Sequence, residues 1–140
     1  MPSWSIGHPQ KERVEVELLS PPANDCGYDW VSARTHVTVG AFDAEIRMSI
    51  LASDMKRFLE ALEPVYRDLR GTAEFTTIEH QLYLKVVIDH VGHVRVTGEV
   101  RDDSSFGNRL TFTLDFDQTV LQRTLSELRY ALSELQKSAA

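Results

Sequence analysis

The sequence predicts an α+β domain: an antiparallel sheet of about six to seven strands with two helices packed on one face, in the order β-β-β-α-β-β-β-β-α. Three observations carry this expectation. Apolar and polar residues alternate in several short segments, which turns one face of each toward a core and the other toward water. The hydrophobic period changes from two to about 3.6 in two places, after residue 50 and after residue 116. Connections between neighbouring strand segments are short, which joins them antiparallel. At 140 residues the chain is long enough for one domain with its own core. That domain is placed at residues 12–140, and the polar, proline-containing residues 1–11 are read as an irregular arm.

In chain order, "RVEVELL" sets Val14, Val16 and Leu18 against Arg13, Glu15 and Glu17, a strand. "SPPANDCGYD", residues 20–29, is a loop on its Pro, Asn, Asp and Gly content. Val31, Ala33, Thr35, Val37 and Val39 form the inward face of the next strand. Phe42, Ala44, Ile46, Met48 and Ile50 form that of its successor, with a tight hairpin at Gly40. Met55, Phe58, Leu59, Leu62 and Tyr66 then make a helical stripe. Ser53 is expected to cap this helix and Asp54 to favour its positive end. Pro64 is expected to kink or break it near Glu63, and Gly71 to follow its end. Four strands come next, "TAEFTTIE", "QLYLKVVI", "HVRVTGEV" and "RLTFTLDF", the last preceded by the polar loop "RDDSSFGN". In the closing helix Asp117 is the cap, and Leu121, Leu125, Leu128, Leu132 and Leu135 form an a/d seam. That seam can zip two copies into a homodimer or cover the sheet of its own chain.

The composition, 42% hydrophobic and 26% charged, is that of a folded protein rather than a disordered one. Fifteen basic against 21 acidic residues give a formal charge of −6. This disfavours direct nucleic-acid binding, which needs clustered cations, and suits a basic partner. Both helical segments are balanced, so the acid excess falls on strands and loops. Cys26 is the one cysteine, which leaves no disulfide framework, and no Lys or His stands beside it to form a thiolate. No signal peptide is evident, and no apolar run approaches the roughly 20 residues of a membrane span. The expected location is cytoplasmic.

Residue chemistry offers few sites. His90 and His93 flank Gly92 in "DHVGHV", where strand signals stop and resume, so a turn is the simplest reading. A zinc site would need Glu79 or His80, but the intervening strand puts these roughly 25 Å away. Asp115 and Asp117 flank Phe116 at a strand-to-helix step, where a cap explains Asp117 and solvent explains Asp115. No phosphate-binding, nucleophile-elbow or zinc-protease motif is present. Neither a catalytic set, nor a metal set, nor a cofactor is expected. The solvent face is a mixture of aromatics, arginines and acids, which is also the content of a protein–protein patch. The candidate partner-binding residues are Asp25, Tyr28, Asp29 and Trp30 around the loop, with Arg34, His36, Glu45 and Arg47 on the face beyond it.

Four stretches carry a family resemblance: "YDWV", "LRGTAEFTTIEHQLYLKV", "GHVRVTGEV" and "LTFTLDFDQTVL". Together, over roughly residues 12–135, the chain resembles the WapI family of bacterial immunity proteins. The resemblance implies a small cytoplasmic protein that protects a cell from its own WapA-type contact-dependent toxin. The partner so implied is a toxin domain that is a nuclease attacking tRNA. Two other readings stand beside it. One is a small-molecule-binding or assembly domain without catalytic activity. The other is an enzyme using His93 with Asp89 or Asp115, which requires those groups to meet in one cleft.

Overall fold

The computed structural model describes residues 2–25, 28–105 and 107–139; for 23–25, 28, 138 and 139 it describes the main chain only. The chain runs β1 (Ser3–Gly7), β2 (Arg13–Leu18), β3 (Ala23–Asp25), β4 (Tyr28–Val39), β5 (Phe42–Leu51), α1 (Ala52–Asp68), β6 (Gly71–Phe75), β7 (Leu82–Ile88), β8 (His93–Arg101), β9 (Arg109–Asp117) and α2 (Thr119–Ala139). The class is the expected α+β, and every strand pair is antiparallel.

The expectation of one sheet is corrected to two. The first has the order β1-β2-β4-β3, with β5 on the other side of β4. β4 is twelve residues long, enough for β3 to pair with its start and β2 with its later part along one edge. The second sheet is β6-β7-β8-β9. The break falls at α1 because a helix of 17 residues carries the chain about 25 Å before the next strand begins. Strand β6 therefore starts away from β5 and opens a new sheet. The inner faces of both sheets and of both helices join one hydrophobic cluster.

Residues 1–11 are not an irregular arm. Trp4 and Ile6 are fully buried on β1, which pairs with β2 from Ser3↔Glu17 to Gly7↔Arg13. The indole of Trp4 meets Phe58 of α1 at 5.7 Å and Phe75 of β6 at 5.4 Å, and those two rings meet at 5.6 Å. Three aromatics thus tie the first sheet, the first helix and the second sheet together. Loop 20–29 is likewise shorter than expected, since β3 and the start of β4 pair across it. Conversely, only Gly71–Phe75 of "TAEFTTIE" is strand.

α1 packs chiefly against β6 and α2 against β1, and the two helices also touch each other. α2 runs along β1, where Ser5 N–H and Oγ–H each donate to Glu127 Oε1 at 2.9 Å. Thr124 Oγ–H donates to Ser5 O at 2.7 Å. The helix thereby satisfies main-chain groups on what is otherwise an open sheet edge. The leucine seam of α2 is spent inside the chain: Leu121, Leu125, Leu128 and Leu135 are buried. The coiled-coil route to a homodimer is therefore closed.

Helix α1 is capped two residues earlier than expected. Leu51 occupies the N-cap position, and Ser53 instead donates to Asp29 Oδ1 at 3.3 Å. Asp54 accepts from Leu51 N–H at 3.0 Å and pairs with Arg57. Helical structure continues through Pro64, because buried Leu62 and Val65 anchor the turns on either side. Leu69, not Gly71, takes the left-handed position at the C-cap, with φ 52°. Asp117 does cap α2, accepting from Thr119 N–H at 3.0 Å.

Candidate interaction surfaces

The outer face of the first sheet collects Arg13, Glu15 and Glu17 from β2, Arg34 and His36 from β4, and Asp43, Glu45 and Arg47 from β5. Register explains who meets whom. Arg34 lies between Glu17 and Arg47, and pairs with Glu17 at 3.4 Å and with Glu45 at 4.0 Å. His36 hydrogen-bonds Asp43. Arg47 forms no ion pair among the described residues. Exposed pairs of this kind contribute little stability individually, so the face is free to be reshaped by a partner.

Of the expected partner-binding residues, Trp30, Arg34, His36, Glu45 and Arg47 share this outer face. Asp29 does not: it bonds to Ser53 and borders the groove beside α1. Asp25 and Tyr28 are opposite one another at the β3–β4 turn, and their side chains lie outside the described residues, as does Cys26.

The second sheet's outer face is more nearly self-neutralised. Asp115 Oδ1 is shared by Arg95 Nε–H at 2.9 Å and His93 Nε2 at 3.0 Å. Arg95 first, then His93, holds the Asp115 carboxyl below the usual carboxylate range. Arg101 and Arg109 lie 3.0 and 3.7 Å from Glu99. His93 and Asp115 do come within hydrogen-bond reach, but on an exposed sheet face rather than in a cleft. His90 is an exposed turn residue. The turn is held by Asp89 Oδ1, which accepts from Val91 N–H and His93 N–H at 3.0 Å each. These bonds, led by that from His93, hold the Asp89 carboxyl low. Among the described residues no group of three or more His, Cys, Asp or Glu is placed to hold a metal ion. Among the described residues no helix is long and apolar enough to cross a membrane.

Sequence reasoning missed one feature: three acid-bearing connections meet at one end of the second sheet, bordered there by Arg47, Arg57, Arg101 and Arg109. Segments 19–30, 76–81 and 102–108 contain Asp25, Asp29, Glu79, Asp102 and Asp103 and neither lysine nor arginine. The fold brings them together. Gln81 O accepts from Arg101 N–H at 2.9 Å, which seats the second segment against the third. Leu19 and Ser32 border one recess with Glu79 and Gln81, which seats the first beside the second. The signal was in the charge list, but only the strand order makes it a surface. A groove of about 650 Å³ opens next to Asp29, between α1 and α2, lined by Ala52, Leu59, Leu132 and Leu135 with Lys56 and Glu63 at its sides.

Geometry thus defines a helix-buttressed, two-sheet α+β scaffold with open polar faces. A model of the immunity protein WapI-like family matches residues 5–136, nearly the whole chain, and the protein belongs to that family. Its fold is similar to that in the crystal structure of WHY1 from Arabidopsis thaliana, with a TM-score of 0.51 and 11% identity over 95% of this chain and 84% of that one. No curated protein sequence matches.

Proposed function

We propose that this protein neutralises a cognate bacterial toxin, a basic nuclease, by direct contact in the cytoplasm, without catalysis and without a cofactor. The family match over residues 5–136 carries the proposal. The net charge of −6 supports the nature of the partner. A nuclease is cationic where it holds phosphates, and an acidic surface meets it quickly through electrostatic steering. The contact surface we propose comprises the loop residues Asp25, Tyr28, Asp29 and Trp30 and the adjoining face residues Arg34, His36, Glu45 and Arg47.

The test is capture of the toxin domain encoded beside the gene, with its nuclease activity as readout. Expected are a stoichiometric complex, loss of nuclease activity, and association that slows as salt rises. Glu79→Lys with Asp103→Lys is expected to weaken binding by about tenfold or more while leaving the melting temperature unchanged. Failure to bind the neighbouring toxin domain at low salt refutes the proposal. A second reading, a small-molecule-binding or assembly domain, is favoured by the groove between α1 and α2. It is supported instead if a metabolite panel raises the melting temperature and Leu59→Arg abolishes the effect.

A further inference from the structure

We propose that two copies of this chain associate edge to edge through β5, in one definite register. The observation behind this is an unfinished sheet edge. β5 is ten residues long and contains neither Pro nor Lys; its charged residues are Asp43, Glu45 and Arg47, of both signs. Among the described residues it pairs with β4 alone. The two-residue hairpin loop makes Val39–Phe42 a hydrogen-bonded pair, so even-numbered residues of β5 direct their main-chain groups to β4. Odd-numbered residues direct theirs outward. Leu51 N–H, outward by this count, is indeed taken by Asp54. The outward groups of Asp43, Glu45, Arg47 and Ser49 have no partner among the described residues. Two other edges differ: β1 is sealed by Glu127 and Thr124, and β6 is packed by α1, whereas β9, like β5, has one paired neighbour among the described residues.

The side chains of β5 are also incomplete. Phe42 is 61% exposed, and Ala44 and Ile46 are only half-buried although they share the core parity. Arg47 stands directly opposite Arg34, a like-charge pairing that destabilises a sheet. Glu79 borders the same recess as Arg47 without forming an ion pair with it.

These features select the occupant. An antiparallel second copy must match outward groups with outward groups, so odd residues face odd residues. Centring the two-fold axis on Ile46 puts Glu45 opposite the partner's Arg47, and Arg47 opposite the partner's Glu45. Asp43 then faces Ser49, Ile46 packs on its own copy, and Ala44 meets Met48. A slip of two residues either way puts Glu45 against Glu45 or Arg47 against Arg47 on the axis. One register thus supplies the missing acid to each Arg47, completes the main-chain ladder and covers Ile46.

Sedimentation and light scattering on the purified chain test this. The wild type is expected to be dimeric at about 100 µM, a concentration at which even weak specific contacts fill. Glu45→Arg alone and Arg47→Glu alone each create two like-charge pairs. Each is expected to raise the dimer dissociation constant by about tenfold or more, with melting temperature and far-UV spectrum retained. The double variant Glu45→Arg with Arg47→Glu restores both pairs in swapped form and is expected to restore the dimer. Glu45→Pro removes an outward N–H that β4 does not use, and is expected to leave a folded monomer. A wild-type chain monomeric at this concentration overturns the proposal, as does a double variant no tighter than the singles. If the wild type is monomeric while it still captures the toxin, the self-pairing is refuted and the neutralising function stands.

Discussion

Replacement of Trp4 by Ala tests whether the N-terminal segment is core or decoration. The side chain has no exposure, and two aromatic rings on different elements meet it within 6 Å, at 5.7 and 5.4 Å. Truncating a core Trp to Ala costs about 3–5 kcal/mol from lost burial and the cavity left behind. One feature offsets part of this: Trp4 Nε1 is buried with no hydrogen-bond partner among the described residues, and removing an orphan donor returns about 1 kcal/mol. The net expectation is about 3 kcal/mol. For a chain of 140 residues the unfolding entropy is about 0.3 kcal/mol/K, so the melting temperature should fall by about 10 °C. Trp4→Phe separates the two contributions. It keeps the ring contacts and deletes the orphan donor, and is expected to fall within about 1 kcal/mol of the wild type. Thermal melts followed by circular dichroism, with urea titration as a second measure, give both numbers. A Trp4→Ala melting temperature within about 3 °C of the wild type would mean that β1 is not structural, and the three-ring junction would lose its role.

Other consequences can be measured on the same preparation. Glu127→Ala leaves Ser5 N–H without its acceptor and should cost about 1.5 kcal/mol by urea titration, with Glu127→Gln recovering part of it. Gly98→Ala would place a Cβ 2.3 Å from Phe112 Cζ, directly opposite on β9; a cost of about 1–3 kcal/mol is expected, relieved by Phe112→Leu in a double-mutant cycle. Two carboxyls should give pH dependences of opposite sign. Asp89 is held low in the folded state, so its contribution is present above its unfolded pKa and is lost as pH falls through the folded one; Asp89→Asn should flatten the acid limb of a stability–pH curve. Burial raises the Asp54 carboxyl above the ordinary carboxylate value, against the pull of Leu51 N–H and Arg57. Its contribution is therefore fully present below that value and lost as pH rises through the folded pKa, and Asp54→Asn should remove that decline.

The strands that alternate strongly were legible, because a period of two fixes which residues face inward whatever the topology. Val31 to Val39 and Leu82 to Ile88 fall on the faces their parity dictates. β1 was not legible for a physical reason. Its alternation is only Trp4 and Ile6 between serines, flanked by Pro2 and Pro9, and its stability comes from β2 and α2 rather than from itself. The division into two sheets was hidden for a similar reason. Antiparallel neighbours look alike in sequence whether or not a helix between them moves the chain to another layer. The cap of α1 misled because Ser53 has a competing acceptor in Asp29, 24 residues earlier, and long-range partners leave no local mark.

The interaction surface was legible only in its chemistry. A catalytic site announces itself by residue types that must converge, and their spacing can be checked against strand length, as it was for His90 and Glu79. A docking surface needs no such set: Asp29, Glu79 and Asp103 are unremarkable one by one. Their connections become neighbours when β6–β7 and β8–β9 fall at one end of their sheet and Leu19 and Ser32 come to border Glu79, with Arg47 and Arg101 among them. Arg47 makes the same point in reverse. Its sequence neighbourhood offers Glu45, yet register sets it across from Arg34 and gives Glu45 to that arginine instead. An exposed cation with no acid among the described residues, on a strand whose outer main-chain groups have no partner among them, is a statement about what the chain meets and not about how it folds. That is why the open edge of β5 and the acid-bearing connections call for different experiments, one on the chain alone and one on the chain with its toxin.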